Sequence, residues 1–177
     1  VSRSFSEQGV NEREKLEEAV SNFASECARK LREQHTCCSQ MLVFAATSRF
    51  RTELPSDYIS RTVTFQVPTA STTELIQNAM QIIRSEWKSS LYYYKKAGVI
   101  VTGISSDSAV QASLFDSIDR GKQNRLQRTI DSINSKSGFG AVRSASQGEQ
   151  KRYKLKSEHL SQRFSTNLNE TIIVKSD

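Results

Sequence analysis

Arg61-Thr62-Val63-Thr64-Phe65-Gln66-Val67 is the stretch on which the fold turns. Val63, Phe65 and Val67 alternate with Thr62, Thr64 and Gln66. Successive side chains of a strand point to opposite faces, so the segment reads as a strand with one apolar and one hydroxyl-bearing face. A sheet that contains it is covered on one side only. Working outward, Pro68 is expected to end the strand, and Ser71 with Glu74 reads as a capping box. Leu75, Ile76, Ala79, Met80, Ile83 and Trp87 then recur at helical spacing. On the other side, beyond a turn around Pro55, Met41 to Ala46 is a short apolar run rich in strand formers.

The remaining segments complete an alternating order. Asn11 and Glu14 read as an N-cap and its reciprocal partner ahead of Leu16, Val20, Phe23, Ala24, Cys27, Ala28 and Leu31, an amphipathic helix with one buried stripe. Gly98 to Ile104 supplies a further strand and Arg3 to Phe5 an opening one. The order is β, α, β, β, α, β. Helices with single apolar stripes and strands with single apolar faces satisfy one another when both helices cover the same side of the sheet. The expected fold is α+β, two helices on one face of a four-stranded sheet, over residues 1–105. A polar linker follows over 106–124, then a small extension over 125–177. In that extension Leu126, Ile130 and Ile133 mark a short helix ended by Gly138 and Gly140, and Thr171 to Val174 is strand-like.

Composition restricts the function classes. No run of about 18 apolar residues exists to span a membrane. The opening residues lack the order of a signal peptide. The sequence begins without Met inside a strand-like segment, and a piece of a longer protein is expected. Cys27, Cys37 and Cys38 suit neither a disulfide framework nor a zinc site, which points to a reducing compartment. His35 and His159 have no nucleophile or metal-ligand spacing around them, and no glycine-rich phosphate loop is present. No catalytic residues, metal site or cofactor are therefore assigned, and the chain alone is not expected to be an enzyme.

Net charge is +6, and its distribution says more than its sum. Lys and Arg number 13 against 12 acids up to Phe115, and 12 against 7 beyond it. Six acids of the first part, Glu12, Glu14, Glu17, Glu18, Glu26 and Glu33, share the first helix, which leaves the strands basic. Such segregation suits a surface that faces a polyanion. On or beside the open face the candidates are Ser2, Arg3, Thr47, Ser48, Arg49, Arg51, Arg61, Thr62, Thr64, Lys95 and Lys96. These hydroxyls and cations can bind phosphate oxygens without reading bases, or they form an ordinary solvated sheet face. Tyr92, Tyr93 and Tyr94 could stack on bases, though three tyrosines at a strand entry more often pack against a helix. Trp87 reads as core. In the linker, Gln111, Ala112, Ser113, Leu114 and Phe115 place an apolar pair in polar surroundings. It is either an anchor for a partner's pocket or an attachment back onto its own domain.

Val1-Ser2-Arg3-Ser4-Phe5, Thr47-Ser48-Arg49-Phe50, Tyr94-Lys95-Lys96-Ala97-Gly98-Val99, Gln111 to Phe115 and Gly138-Phe139-Gly140, in that order and spacing, resemble the C-terminal half of the UmuC family. These are the catalytic subunits of bacterial DNA polymerase V, within the Y-family translesion polymerases. The resemblance implies a little-finger domain whose open sheet lies along DNA and contacts its backbone. It implies that Gln111 is the polar anchor of a motif for the β sliding clamp, with Leu114 and Phe115 filling the clamp's pocket. Ala112 departs from that motif, where a larger apolar residue is usual. It implies an extension that binds the processed UmuD dimer, RecA as a further partner, and a cytoplasmic place in SOS mutagenesis and DNA repair. The family's catalytic carboxylates and their magnesium lie in the palm, which would precede Val1. Two rivals remain, a protein-interaction adaptor without DNA binding and an RNA-binding domain of the same strand order. The latter is expected to carry exposed aromatics at central strand positions, where Thr62 and Thr64 are expected instead.

Overall fold

The computed structural model of the chain describes residues 1–6, 8–110, 116, 118–138 and 140–149. The elements run β1 (Ser2–Ser4), α1 (Arg13–Glu33), β2 (Thr36–Thr47), β3 (Tyr58–Thr69), α2 (Thr72–Glu86), β4 (Tyr94–Ser106) and α3 (Arg120–Ser137). Short 3-10 turns stand at Asp107–Ala109 and Ala145–Gln147. The four strands form one antiparallel sheet in the order β1-β4-β2-β3, and α1 and α2 lie side by side on one of its faces. The α+β reading is thus borne out.

Packing follows the alternation read from the sequence. Met41 pairs with Val63 and Val101, Val43 with Val99, and Ala45 with Ile59 and Ala97. These residues meet Leu16, Val20 and Phe23 of α1 and Leu75, Ala79 and Ile83 of α2 in one core. Tyr94 is fully buried in it, with the Trp87 ring 5.8 Å away, as the packing alternative for the tyrosines required. Cys27, Cys37 and Cys38 are buried free thiols, and burial pushes Cys38 up to about 12.

Several local expectations are corrected. Glu12, not Asn11, is the N-cap of α1, and the Asn11 side chain donates instead to the Ser90 carbonyl at 3.2 Å. Ser71 does cap α2, accepting from Glu74 N at 3.4 Å. The Glu74 carboxylate does not return the bond; it accepts from Thr69 Oγ1 and from Arg120. β3 runs through Pro68 to Thr69, because β3 is an edge strand with one side free of ladder bonds, where a missing N–H is tolerated. α3 begins at Arg120, inside the stretch read as linker, where Asp119 accepts from Lys122 N at 2.9 Å and caps it.

α3 is held mainly by charge. Arg32 of α1 donates twice to Asp131, at 2.6 and 2.8 Å, and also to the Ala70 carbonyl and Thr72 Oγ1. Arg120 bonds Glu74 and Asp116, each at 2.6 Å. The apolar side chains Leu126 and Ile133 remain 53% and 40% exposed, so apolar burial contributes little here. Beyond α3 the chain returns to α1, where Asn22 donates to the Gln147 carbonyl at 2.9 Å. The strand-like Thr171 to Val174 lies outside the described residues.

Candidate nucleic-acid interface

Strand parity decides which candidates share the open face. From the pairings Gln40 with Thr64 and Thr102, Leu42 with Thr62 and Ile100, Phe44 with Ser60 and Gly98, and Ala46 with Tyr58 and Lys96, these residues all stand opposite the helices. Ser2 and Ser4 of β1 join them through Gly98 and Lys96. Among these positions there is no Asp or Glu. Ser60, Thr62, Thr64, Thr102 and Lys96 are exposed there.

Two predicted cations do not lie on this face. Arg61 pairs with Val43, on the helical side, and its Nε bonds Glu86 at 2.7 Å. That bond holds the guanidinium above its ordinary value. Arg3 pairs with Ala97, also on the helical side, with Glu26 3.8 Å away. Parity alone places Arg61 with Val63 and Phe65, whereas Arg3 needed the β1–β4 register.

The central open-face positions also differ from expectation. Thr62 and Thr64 stand on the edge strand β3, and the central strands β2 and β4 present Leu42, Phe44, Ile100 and Thr102. Phe44 is half-buried, because its ring lies over Gly98: a Cβ there would meet Phe44 Cε1 at 2.6 Å. The two threonines therefore do not discriminate between DNA and RNA surfaces.

The other candidates gather at the β2–β3 hairpin. Thr47 Oγ1 donates to the Asp57 carbonyl at 3.1 Å and accepts from Asp57 N at 3.0 Å, so this hydroxyl closes the loop. Ser48 Oγ accepts from Phe50 N at 3.2 Å. Arg49 is exposed and Arg51 half-buried. Lys95 Nζ donates to the Ser6 carbonyl at 2.8 Å, on the same end of the molecule. Asp57 was not singled out in the sequence, yet it organises this end. Its carboxylate accepts from Tyr94 Oη at 2.6 Å and Lys88 Nζ at 2.5 Å, with the side chain 4% exposed. Burial raises its pKa, but the Lys88 and Tyr94 bonds more than offset this and hold it below the ordinary carboxylate value. Gln111, Ala112, Ser113, Leu114 and Phe115 lie outside the described residues.

Among the described residues no group of three or more His, Cys, Asp or Glu could hold a metal ion, and no helix is long and apolar enough to cross a membrane.

Fold and face together define an α+β domain with one helix-covered side and one side whose paired strand positions carry no carboxylate. Residues 1–114 match the impB/mucB/samB family C-terminal domain, and the chain belongs to that family. Residues 124–174 match a second unit, described as a domain of unknown function (DUF4113). The chain is 33% identical to Protein UmuC of Salmonella typhimurium over 175 residues, which is 98% of this chain and 41% of that protein. It is 31% identical to Protein ImpB of Salmonella typhimurium over 166 residues, 93% of this chain and 38% of that one. DNA polymerase IV of Clostridium acetobutylicum is 26% identical over 133 residues, covering 75% and 32%. The chain spans about two-fifths of the length of the curated UmuC and ImpB proteins it matches.

Proposed function

We propose that the chain is the non-catalytic C-terminal part of an error-prone translesion DNA polymerase. In this reading the open face grips template-primer DNA, residues 111–115 tether the chain to the β sliding clamp, and the extension binds a UmuD-type partner. The observation that carries it is the open face: free of carboxylates at its strand positions, rich in hydroxyls, and carrying Lys96. A duplex meets no like charge there, while Thr62, Thr64 and Lys96 supply donors to phosphate oxygens. On the helical side Glu26 and Glu86 neutralise Arg3 and Arg61. Phosphate contact is indifferent to damaged bases, which suits lesion bypass. Clamp tethering would hold a weak DNA binder near the primer end by raising its effective concentration.

Affinity for a short DNA duplex at two salt concentrations tests the reading. With about three phosphate contacts it falls roughly 40-fold between about 50 and 200 mM monovalent salt. Absence of binding at both concentrations would favour a protein adaptor. Tighter binding to single-stranded RNA than to the duplex would favour the RNA-binding reading.

A further inference from the structure

The loop between β2 and β3 carries Arg49-Phe50-Arg51, and Phe50 is 96% exposed, the most exposed of the large apolar side chains described. Turns favour Gly, Pro, Asn, Asp and Ser, each for a backbone reason that Phe does not share. Single exposed apolar residues are common, and exposure alone assigns nothing. Three further features set Phe50 apart.

Its loop is built. Three Thr47–Asp57 hydrogen bonds close the base, and Asp57 is itself fixed by Tyr94 and Lys88. Ser48 Oγ accepts from Phe50 N at 3.2 Å and shapes the tip. A loop whose backbone is already fixed loses less entropy on contact than a mobile one. The loop also follows directly on open-face positions: Ala46 and Tyr58 are the last β2–β3 pair before it, and Tyr58, 63% exposed, stands on that face. Finally, an arginine precedes and another follows Phe50 in the chain, and such cations are the charge complement of a nucleic-acid backbone.

We propose that Phe50 stacks on an unpaired base of single-stranded DNA at the edge of the duplex that the open face holds. This rests on the DNA-gripping reading and adds the substrate feature that the tip recognises. In a duplex both faces of each internal base are covered by its neighbours. An overhanging base offers a free π-face, and every base has one, so stacking tolerates any sequence. Arg49 and Arg51 lie beside the phosphates of that same strand.

The test compares blunt duplex with duplex carrying a single-stranded overhang, by anisotropy, using the full chain. Wild type binds the overhang substrate more tightly. Phe50→Ala lowers overhang affinity roughly 5- to 100-fold and leaves blunt-duplex affinity and thermal stability unchanged, whereas Phe50→Trp retains overhang binding. Equal loss on both substrates would overturn the inference in favour of a general duplex contact. Unchanged binding on both would overturn it in favour of a protein partner for Phe50. If wild type binds neither substrate, the DNA-gripping reading itself fails, an outcome separate from failure of Phe50 alone.

Discussion

Tyr94 Oη donates to Asp57 Oδ2 at 2.6 Å, joining the start of β4 to the base of the β2–β3 hairpin across 37 residues of sequence. Tyr94 is fully buried and its hydroxyl, held by burial and by this carboxylate, is pushed well above its ordinary value. Asp57→Ala leaves that hydroxyl without its acceptor, at a cost of about 1–3 kcal/mol in urea denaturation. The pH dependence has a definite sign. Asp57 is depressed in the folded state, so its contribution is complete above the unfolded carboxylate value of about 3.9 and is lost as pH falls through the lower folded value. Wild type minus Asp57→Asn stability should therefore be flat near neutrality and shrink in acid.

Phe44 and Gly98 form a second pair whose fit is steric. A Cβ at residue 98 would lie 2.6 Å from both Phe44 Cε1 and Ser2 Cβ. Gly98→Ala should destabilise the domain by about 1–3 kcal/mol, even though alanine lowers the entropy of the unfolded chain. The double variant Phe44→Ala/Gly98→Ala should cost less than the sum of the two singles, because truncating the ring removes its part of the clash and leaves only that with Ser2 Cβ.

The docking of α3 is expected to depend on guanidinium geometry. Asp131 accepts two bonds from Arg32, an arrangement that a lysine cannot reproduce. Arg32→Lys should therefore expose residues 120–137 to hydrogen exchange about as much as Arg32→Ala, with protection lower by roughly tenfold. Raising salt on the wild type should move protection in the same direction. Protection of β2 and β4 should stay unchanged in all three cases.

The proposed clamp tether is tested by titrating the chain against a bacterial β sliding clamp. Burying Leu114 and Phe115 in the clamp would contribute about 3–6 kcal/mol, so Leu114→Ala/Phe115→Ala should weaken binding a hundredfold or more. Equal binding by wild type and variant would remove this motif from the proposed function.

How much was legible in the sequence depended on how far apart the partners are. Alternation from Arg61 to Val67 separates the threonine face from the valine face, and the same parity puts Arg61 on the helical side with Val63. Arg3 was different. Its three-residue strand has no pattern of its own, and only pairing with Ala97 orients it. The position of β3 at the edge follows from tertiary pairing, so the local pattern could not show that Thr62 and Thr64 are peripheral. Asp57 was invisible for the same reason, because Tyr94 and Lys88 are distant in sequence. α3 carries a sparse apolar stripe that read as a short helix, and its charged anchors Asp131 and Arg120 have no local signature.

Two charge reversals of equal size test the DNA-gripping role of the open face most directly. Lys96 is exposed on that face, and Lys122 is exposed on α3, which docks on the helical side. Duplex affinity of Lys96→Glu and Lys122→Glu would be measured across a salt series. Expected is a clear loss for Lys96→Glu, with the slope of log affinity against log salt reduced by about 1, and near wild-type behaviour for Lys122→Glu. Equal losses in the two variants, or no loss in Lys96→Glu, would contradict a DNA-binding role for this face.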